Sequence, residues 1–228
     1  MRVALINFSG NVGKSTLARH LLAPRLNADI ITVETINADE GGEKIKASQY
    51  DELQAHLLTN DVAVVDIGAS NIEAFIHAMT QYRKSHEDFD FFVVPVVKES
   101  KQQKDTIATI DALSALGVPA KKIRVVFNKI AIDDDVLAEF GAIFGYASGE
   151  RKCIVAAEAA VFDNDVFEQS KALSKTISEL LADPTDFRAK LKEGAGAEKD
   201  HCVRMILAKR LAASAQENLD AVYKVLFK

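Results

Sequence analysis

Short runs of consecutive apolar residues alternate along this chain with longer stretches in which apolar positions recur every three or four residues. The runs are Val3–Ile6, Ile30–Val33, Val62–Ile67, Phe91–Val97 and Ile123–Phe127, with a less apolar one at Ile154–Ala157. Apolar runs without polar alternation predict strands covered on both faces. Between them the helical period marks Ser15–Ala23, Tyr50–Leu58, Ile72–Tyr82, Lys101–Leu116 and Asp134–Phe144. Strands and helices in strict alternation predict a mainly parallel sheet with helices on both sides and right-handed crossovers, a three-layer α/β fold. Gly117-Val118-Pro119 supplies one of the expected turns.

Beyond residue 154 the pattern changes. Ala159–Leu181 reads as mostly helical, Asp183-Pro184 as a stop, and Asp186–Leu191 as a further short helix. Glu193-Gly194-Ala195-Gly196-Ala197 reads as a break in the chain's regular structure. A final amphipathic helix is predicted over Asp200–Phe227, with Val203, Ile206, Leu207, Leu211, Leu219, Val222 and Leu226 on its apolar stripe. The expected division is one α/β domain over 1–182 and a C-terminal helical extension over 183–228 packed on that same domain.

The nucleotide enters through Asn7-Phe8-Ser9-Gly10-Asn11-Val12-Gly13-Lys14-Ser15-Thr16, which joins the first predicted strand to the first predicted helix. That setting is the one a phosphate-binding loop requires. Gly10 and Gly13 permit positive φ and a close backbone approach to phosphate. Successive N–H groups from Ser9 to Thr16 and the helix N-terminus offer partial positive charge, and Lys14 adds a full one. The Ser15 hydroxyl is placed to ligate Mg²⁺. Phe8 occupies the position where the usual P-loop pattern has its first glycine.

Two further strand ends carry matching chemistry. Asp61–Ile67 ends in Asp66, followed by Gly68; a carboxylate there holds Mg²⁺, and the glycine N–H lies near the terminal phosphate. Val125-Val126-Phe127 ends in Asn128-Lys129, at the edge of the sheet where open α/β proteins bind ligands. Asn128 is a candidate for a purine edge, or else simply opens a turn. Ala131 replaces the acid of the guanine-reading N-K-x-D pattern, which favours adenine and hence ATP. Glu34 is a candidate second carboxylate near the attacking water, with Asp39 and Glu40 as alternatives, and Asn37–Gly42 has the composition of a switch loop.

Composition narrows the classes. The 228 residues are 48% hydrophobic and 27% charged with a net charge of −5, so no global basic footprint for nucleic acid is present and direct DNA contact stays open. Cys153 and Cys202 fit no metal or redox spacing and are expected as free thiols in a reducing cytoplasm. No apolar run approaches membrane-spanning length, and no signal peptide is visible.

The loop Ser9–Thr16 resembles the deviant Walker A sequence K-G-G-x-G-K-[ST]-T of the ParA/MinD ATPases. Asp66-Ile67-Gly68 resembles their Walker B strand end, and Phe127-Asn128 their adenine-contacting asparagine. Val3–Ser15 is similar to the start of StbB plasmid-stability proteins, relatives of TraL-type conjugation proteins. The resemblance implies an ATP- and Mg²⁺-binding P-loop NTPase fold. It implies a slow ATPase or nucleotide switch in plasmid stability, partition or conjugative transfer, partnered by a small DNA-binding protein and capable of homodimerising. Lys14, Asp66 and Glu34 are the implied catalytic residues. Two departures stand out. Ser9 replaces the lysine that reaches across the family's dimer, and Ile36 stands where the water-orienting acid is expected. Other readings on the same scaffold are a dethiobiotin-synthetase-like ATP-dependent enzyme and a nucleotide-binding scaffold without hydrolysis.

Overall fold

A computed structural model of the protein describes residues 1–33 and 47–228. The described elements run β1 (Arg2–Leu5), α1 (Lys14–Leu17), a π-turn (Ala18–Leu22), α2 (Ala23–Leu26), β2 (Ile30–Val33), α3 (Ala47–Thr59), β3 (Ala63–Ile67), α4 (Ile72–Gln81), β4 (Phe91–Val96), α5 (Ser100–Ala115) and β5 (Ile123–Ile130). They continue with α6 (Val136–Glu139), α7 (Gly141–Glu150), β6 (Ala160–Phe162), α8 (Val166–Ala172), α9 (Ile177–Ala182), α10 (Phe187–Glu193) and α11 (Ala197–Phe227). The strands form a six-stranded sheet in the order β2-β3-β1-β4-β5-β6, and every neighbouring pair is parallel.

Alternation along the strands builds the core on two sides at once. In β1, Val3 and Leu5 face one side with Leu17, Leu21, Val64 and Val126, while Ala4 and its successor Ile6 face the other with Val65, Ile67, Phe92 and Val94. Because the central strands are covered on both faces, they are apolar over most of their length, which is why they are legible as runs. β1 lies at the centre between β3 and β4. Its register sets Leu5 beside Asp66 on β3 and beside Val93 on β4.

Three predicted elements fall differently. The sixth strand is Ala160–Phe162; Ile154 contributes only a single bridge to Arg124. The edge position beside Phe127 is taken by Ala160, while Phe127 itself packs on Phe140 and Phe144 at ring separations of 4.6 and 5.2 Å. The span predicted as mostly helical from Ala159 therefore opens with a strand and holds two short helices, the second started by a capping box of Thr176 and Glu179. The helix predicted over Asp134–Phe144 is two helices: Asp135 caps α6 through Leu137 and Ala138, and Phe140 leaves helical geometry.

α11 closes the second face of the sheet. Its buried residues are Cys202, Met205, Ala208, Ala212, Ala215, Leu219, Val222 and Leu226. The stripe thus differs from the expected one in its first half. Val203 and Leu207 are exposed, and small alanines bring the helix close to its neighbours instead. Arg25 ties α11 to the helix that follows the phosphate-binding loop. It contacts Asp220 at 2.6 Å and donates to the carbonyls of His20 and Leu21 at 2.8 and 3.1 Å. A π-turn spoils the regular i→i−4 ladder at these carbonyls, and Arg25 satisfies them.

A chain ending at residue 182 is expected not to fold cooperatively. Met205, Leu219, Val222 and Leu226 alone account for roughly 6–12 kcal/mol of burial, the size of a whole domain's net stability. The measurement is thermal unfolding followed by circular dichroism; a sharp transition close to that of the full chain would show that α11 is an accessory and not part of the core.

Candidate functional site

The site forms at the carboxyl end of the sheet, where the loop after β1 meets Asp66 near the end of β3 and Asn128 on β5. β1 leads into the loop 6–13, which ends on Gly13 at the start of α1. Gly13 has φ +86°, and a Cβ there would lie 2.1 Å from the amide nitrogen of Asn128. Both facts demand glycine, the first by backbone sterics and the second by space. Asn11 also has positive φ, at 57°. Gly10 is exposed and Val12 is fully buried, so the loop is anchored by Val12 and open at Gly10.

Lys14 is buried, with 7% of its surface exposed. Its ammonium donates to the carbonyls of Asn7 at 3.0 Å and Ser9 at 2.7 Å, which folds the side chain back over the loop. Burial lowers its pKa to about 8, while the negative charge of Asp66 pulls the other way. Asp66 ends β3 at 4% exposure, on the same side of the sheet as Val64 and hence as α1. Lys14 and Asp66 are therefore brought together as a cation and an anion at the base of the loop.

The remaining expected residues divide. Ser15 is exposed and Thr16 half-buried, and both line a cleft of about 560 Å³ together with Asn11, Gly13, Asn128 and Lys129. Asn128 is buried and uses its amide nitrogen to donate to the Val12 carbonyl at 2.8 Å. Its first contact is thus the loop itself, and the cleft meets the rest of the carboxamide. The Gly68 N–H donates to Val33 at 3.2 Å and is engaged by the end of β2. Ser9 is buried with its hydroxyl turned to α5. Glu34, Ile36 and the segment Asn37–Gly42 lie outside the described residues.

The cleft's far wall carries no motif. It comes from the loop after β6 and from α8: Phe162, Asp163, Asn164, Asp165, Phe167, Glu168 and Lys171. The sequence signal for it is position alone, a polar Asp-Asn-Asp directly after the last strand. Asn7 is likewise a residue that motif reading passes over. It is fully buried, donating to Pro95 O and to Thr106 Oγ1, both at 2.7 Å. Polar residues at the end of a buried strand are the signal there, since each must find partners.

The donor set fits a nucleotide with its metal. Lys14, Ser15 and Thr16 open a helix whose first N–H groups have no intrahelical acceptor, and Ser15 and Thr16 line the cleft. Ser15 and Asp66 offer the hard oxygen ligands that Mg²⁺ takes. Among the described residues no group of three or more His, Cys, Asp or Glu side chains is arranged to hold a metal by itself. Cys153 and Cys202 are free and buried, away from this chemistry, and burial pushes the Cys153 thiol up to about 11. Among the described residues no helix is long and apolar enough to cross a membrane.

No protein-family model matches the chain, and no curated protein sequence matches it. Solved structures do. A chain of the MinC:MinD cell division protein complex of Aquifex aeolicus matches with a TM-score of 0.56 at 10% identity, covering 100% of this chain and 96% of that one. The Aquifex aeolicus cell division protein MinD matches at 0.53 and 13% identity, with 93% and 96% covered. Apo McdA from Cyanothece matches at 0.51 and 12% identity, with 78% and 92% covered. At such identities the likeness is one of fold, and the chain has the P-loop NTPase fold of MinD: a parallel six-stranded sheet flanked by helices and completed by a C-terminal helix.

Proposed function

We propose that this chain binds ATP with Mg²⁺ at the loop 9–16 and acts as a ParA-like nucleotide switch or slow ATPase in plasmid stability, partition or conjugative transfer. The single observation that carries the reading is Lys14, a cation buried on two loop carbonyls beside the Asp66 carboxylate, in a loop whose Asn11, Gly13, Ser15 and Thr16 line an open cleft. A fold gains nothing by burying an ammonium in that way, because desolvation opposes it. A phosphate binder gains a charge that water does not screen.

In this reading the N–H groups of 10–16 and the Lys14 ammonium would hold the phosphates. The metal supplies neutralisation of phosphate charge. Ser15 and Asp66 hold it, Asp66 through its place at the end of β3. The base lies in the cleft toward Asn128 and the loop after β6. The proposed partner is a small DNA-binding protein of the same genetic system, with homodimerisation as a further part of the reading and direct DNA contact left open. A switch requires that the partner bind the nucleotide-loaded state with different affinity from the empty one. The proposed location is the cytoplasm.

Lys14→Ala is expected to abolish binding of a fluorescent ATP analogue while preserving the circular dichroism spectrum, the lost charged contact being worth about 1.5–3 kcal/mol or more. In the wild type, affinity is expected to fall as pH rises from 7 to 9. The sign follows from the lowered Lys14 pKa of about 8: above it the free chain carries a neutral amine, and a proton must be taken up before the charge meets phosphate. GTP is expected to compete less well than ATP. Equal affinity in wild type and variant removes the loop from the nucleotide site.

Asp66→Ala is expected to erase the Mg²⁺ dependence of ATP binding with a smaller loss of ADP affinity, read by titration with and without EDTA. Unchanged metal dependence assigns the metal to another carboxylate.

Turnover of ATP by the chain alone is expected well below ~1 s⁻¹, the low end of the kinase range. Ser9 brings no cation to the developing phosphoryl charge, and Ile36 cannot orient water. Phosphate release measured on purified protein decides it, with acceleration by DNA or a partner protein supporting the switch.

A further inference from the structure

Three consecutive residues of the phosphate-binding loop are tied, one by one, to a helix outside the nucleotide motifs. Asn7 Nδ2 donates to Thr106 Oγ1 at 2.7 Å. The Phe8 N–H donates to Thr109 Oγ1 at 3.0 Å. The Ser9 hydroxyl donates to the Asp105 carboxylate. All three acceptors belong to α5 and share one face of it, at positions i, i+1 and i+4. Thr106 and Thr109 are fully buried, and each donates its own hydroxyl proton back to the helix, to Gln102 O at 2.8 Å and Asp105 O at 2.7 Å. That leaves their oxygen lone pairs facing the loop.

We infer that Asp105 is a positioning residue of the phosphate-binding loop: by holding the Ser9 side chain from α5 it sets the direction of the Ser9 carbonyl and, through it, the seat of Lys14. Ser9 is held at three points, its N–H on Asn7 Oδ1 at 2.7 Å, its carbonyl under Lys14 Nζ at 2.7 Å, and its hydroxyl on Asp105. Only the third comes from outside the loop and its helix. The bond to the Asp105 side chain is the one of the three that ties Ser9 to a distant part of the fold, so its loss is the loss of the external hold. The loop needs an external support. It carries Phe8 where glycine is usual and Asn11 at φ 57°, a conformation that costs a non-glycine residue free energy unless its surroundings impose it. α5 fixes residues 7–9, where the loop begins, and so preorganises that part of it before phosphate arrives.

The consequence for phosphate rests on the nucleotide reading above, while the consequence for the loop does not, and the test separates them. Ser9→Ala, Asp105→Ala, Asp105→Asn and the double alanine variant are compared by ATP–Mg²⁺ titration and by amide hydrogen exchange of Phe8 and Ser9 without nucleotide. Asp105→Ala and Ser9→Ala are each expected to weaken ATP binding about tenfold and to speed exchange at both amides, with the melting temperature of Ser9→Ala unchanged. The double variant is expected to lose no more than either single one, because both remove the same contact. Asp105→Asn, which still accepts the Ser9 proton, restores affinity to within about twofold. Wild-type affinity and exchange in Ser9→Ala and Asp105→Ala, or additive losses in the double variant, overturn the inference. If Asp105→Ala fails to fold, Ser9→Ala and Asp105→Asn decide it on the same two readouts. If the wild type binds ATP no better than Lys14→Ala, the nucleotide reading falls, and exchange at Phe8 and Ser9 alone decides the role of Asp105.

Discussion

The burial of one ammonium group organises the functional end of this protein. Lys14 is withdrawn from water onto the carbonyls of Asn7 and Ser9, with Asp66 supplying the opposing charge. An uncompensated buried cation is among the most expensive features a fold can hold. The compensation in turn dictates where everything nearby must go. The two carbonyls must point inward, so the loop must turn sharply, so Gly13 takes φ +86°. The Asp66 charge must come from the neighbouring strand, so β3 must lie in register beside β1 with Leu5 opposite Asp66.

Parallel topology makes this arrangement inexpensive in sequence terms. Every strand points the same way, so the residues that follow β1, β3, β4 and β5 arrive at one edge without any loop having to travel. Asn7 meets the Pro95 carbonyl from β4, and Asn128 from β5 meets the Val12 carbonyl. Both contacts are carboxamides donating to backbone carbonyls, and both brace the loop rather than face solvent. The close approach of Asn128 leaves no room for a Cβ at position 13. The glycine that the motif shares with other phosphate-binding loops is therefore required here twice over, by torsion and by a neighbour peculiar to this sheet.

The opposite side of the same helix is braced as well. The π-turn at Ala18–Leu22 displaces carbonyls from the regular ladder, and Arg25, itself held by Asp220, takes up two of them. His20 lies in that turn, buried against Phe167 of α8, and burial lowers its pKa to about 4. It is therefore a neutral ring at ordinary pH and contributes packing. α8 forms part of the cleft's far wall, so the helix behind the phosphate-binding loop and the wall facing it are packed directly on each other. The C-terminal helix is thus connected to the site through Arg25 although it contributes no residue to the cleft.

How far the sequence reaches depends on whether a residue's role is local. Five of the six strands, the loop, Lys14 and the Asp66 strand end are all legible, because burial on both faces writes a continuous apolar run and the loop's torsions demand glycine at a fixed offset. The sixth strand was expected at Ile154–Ala157 and lies at Ala160–Phe162, because an edge strand with small residues carries no comparable signal. The stripe of α11 shows the same limit: Ala208, Ala212 and Ala215 pack inward while Val203 and Leu207 stay out, since closeness of approach and not hydrophobicity decides that contact. Asn128 was legible as a residue at the ligand-binding edge, but not as a brace of Val12. The hold of α5 on residues 7–9 lies wholly beyond the sequence, because it joins positions about a hundred residues apart. By itself the sequence determined the fold class and the chemistry of the loop, through period and local torsion. Only the tertiary structure decided what holds that loop in place, because a hydrogen bond between distant segments leaves no mark on either segment alone.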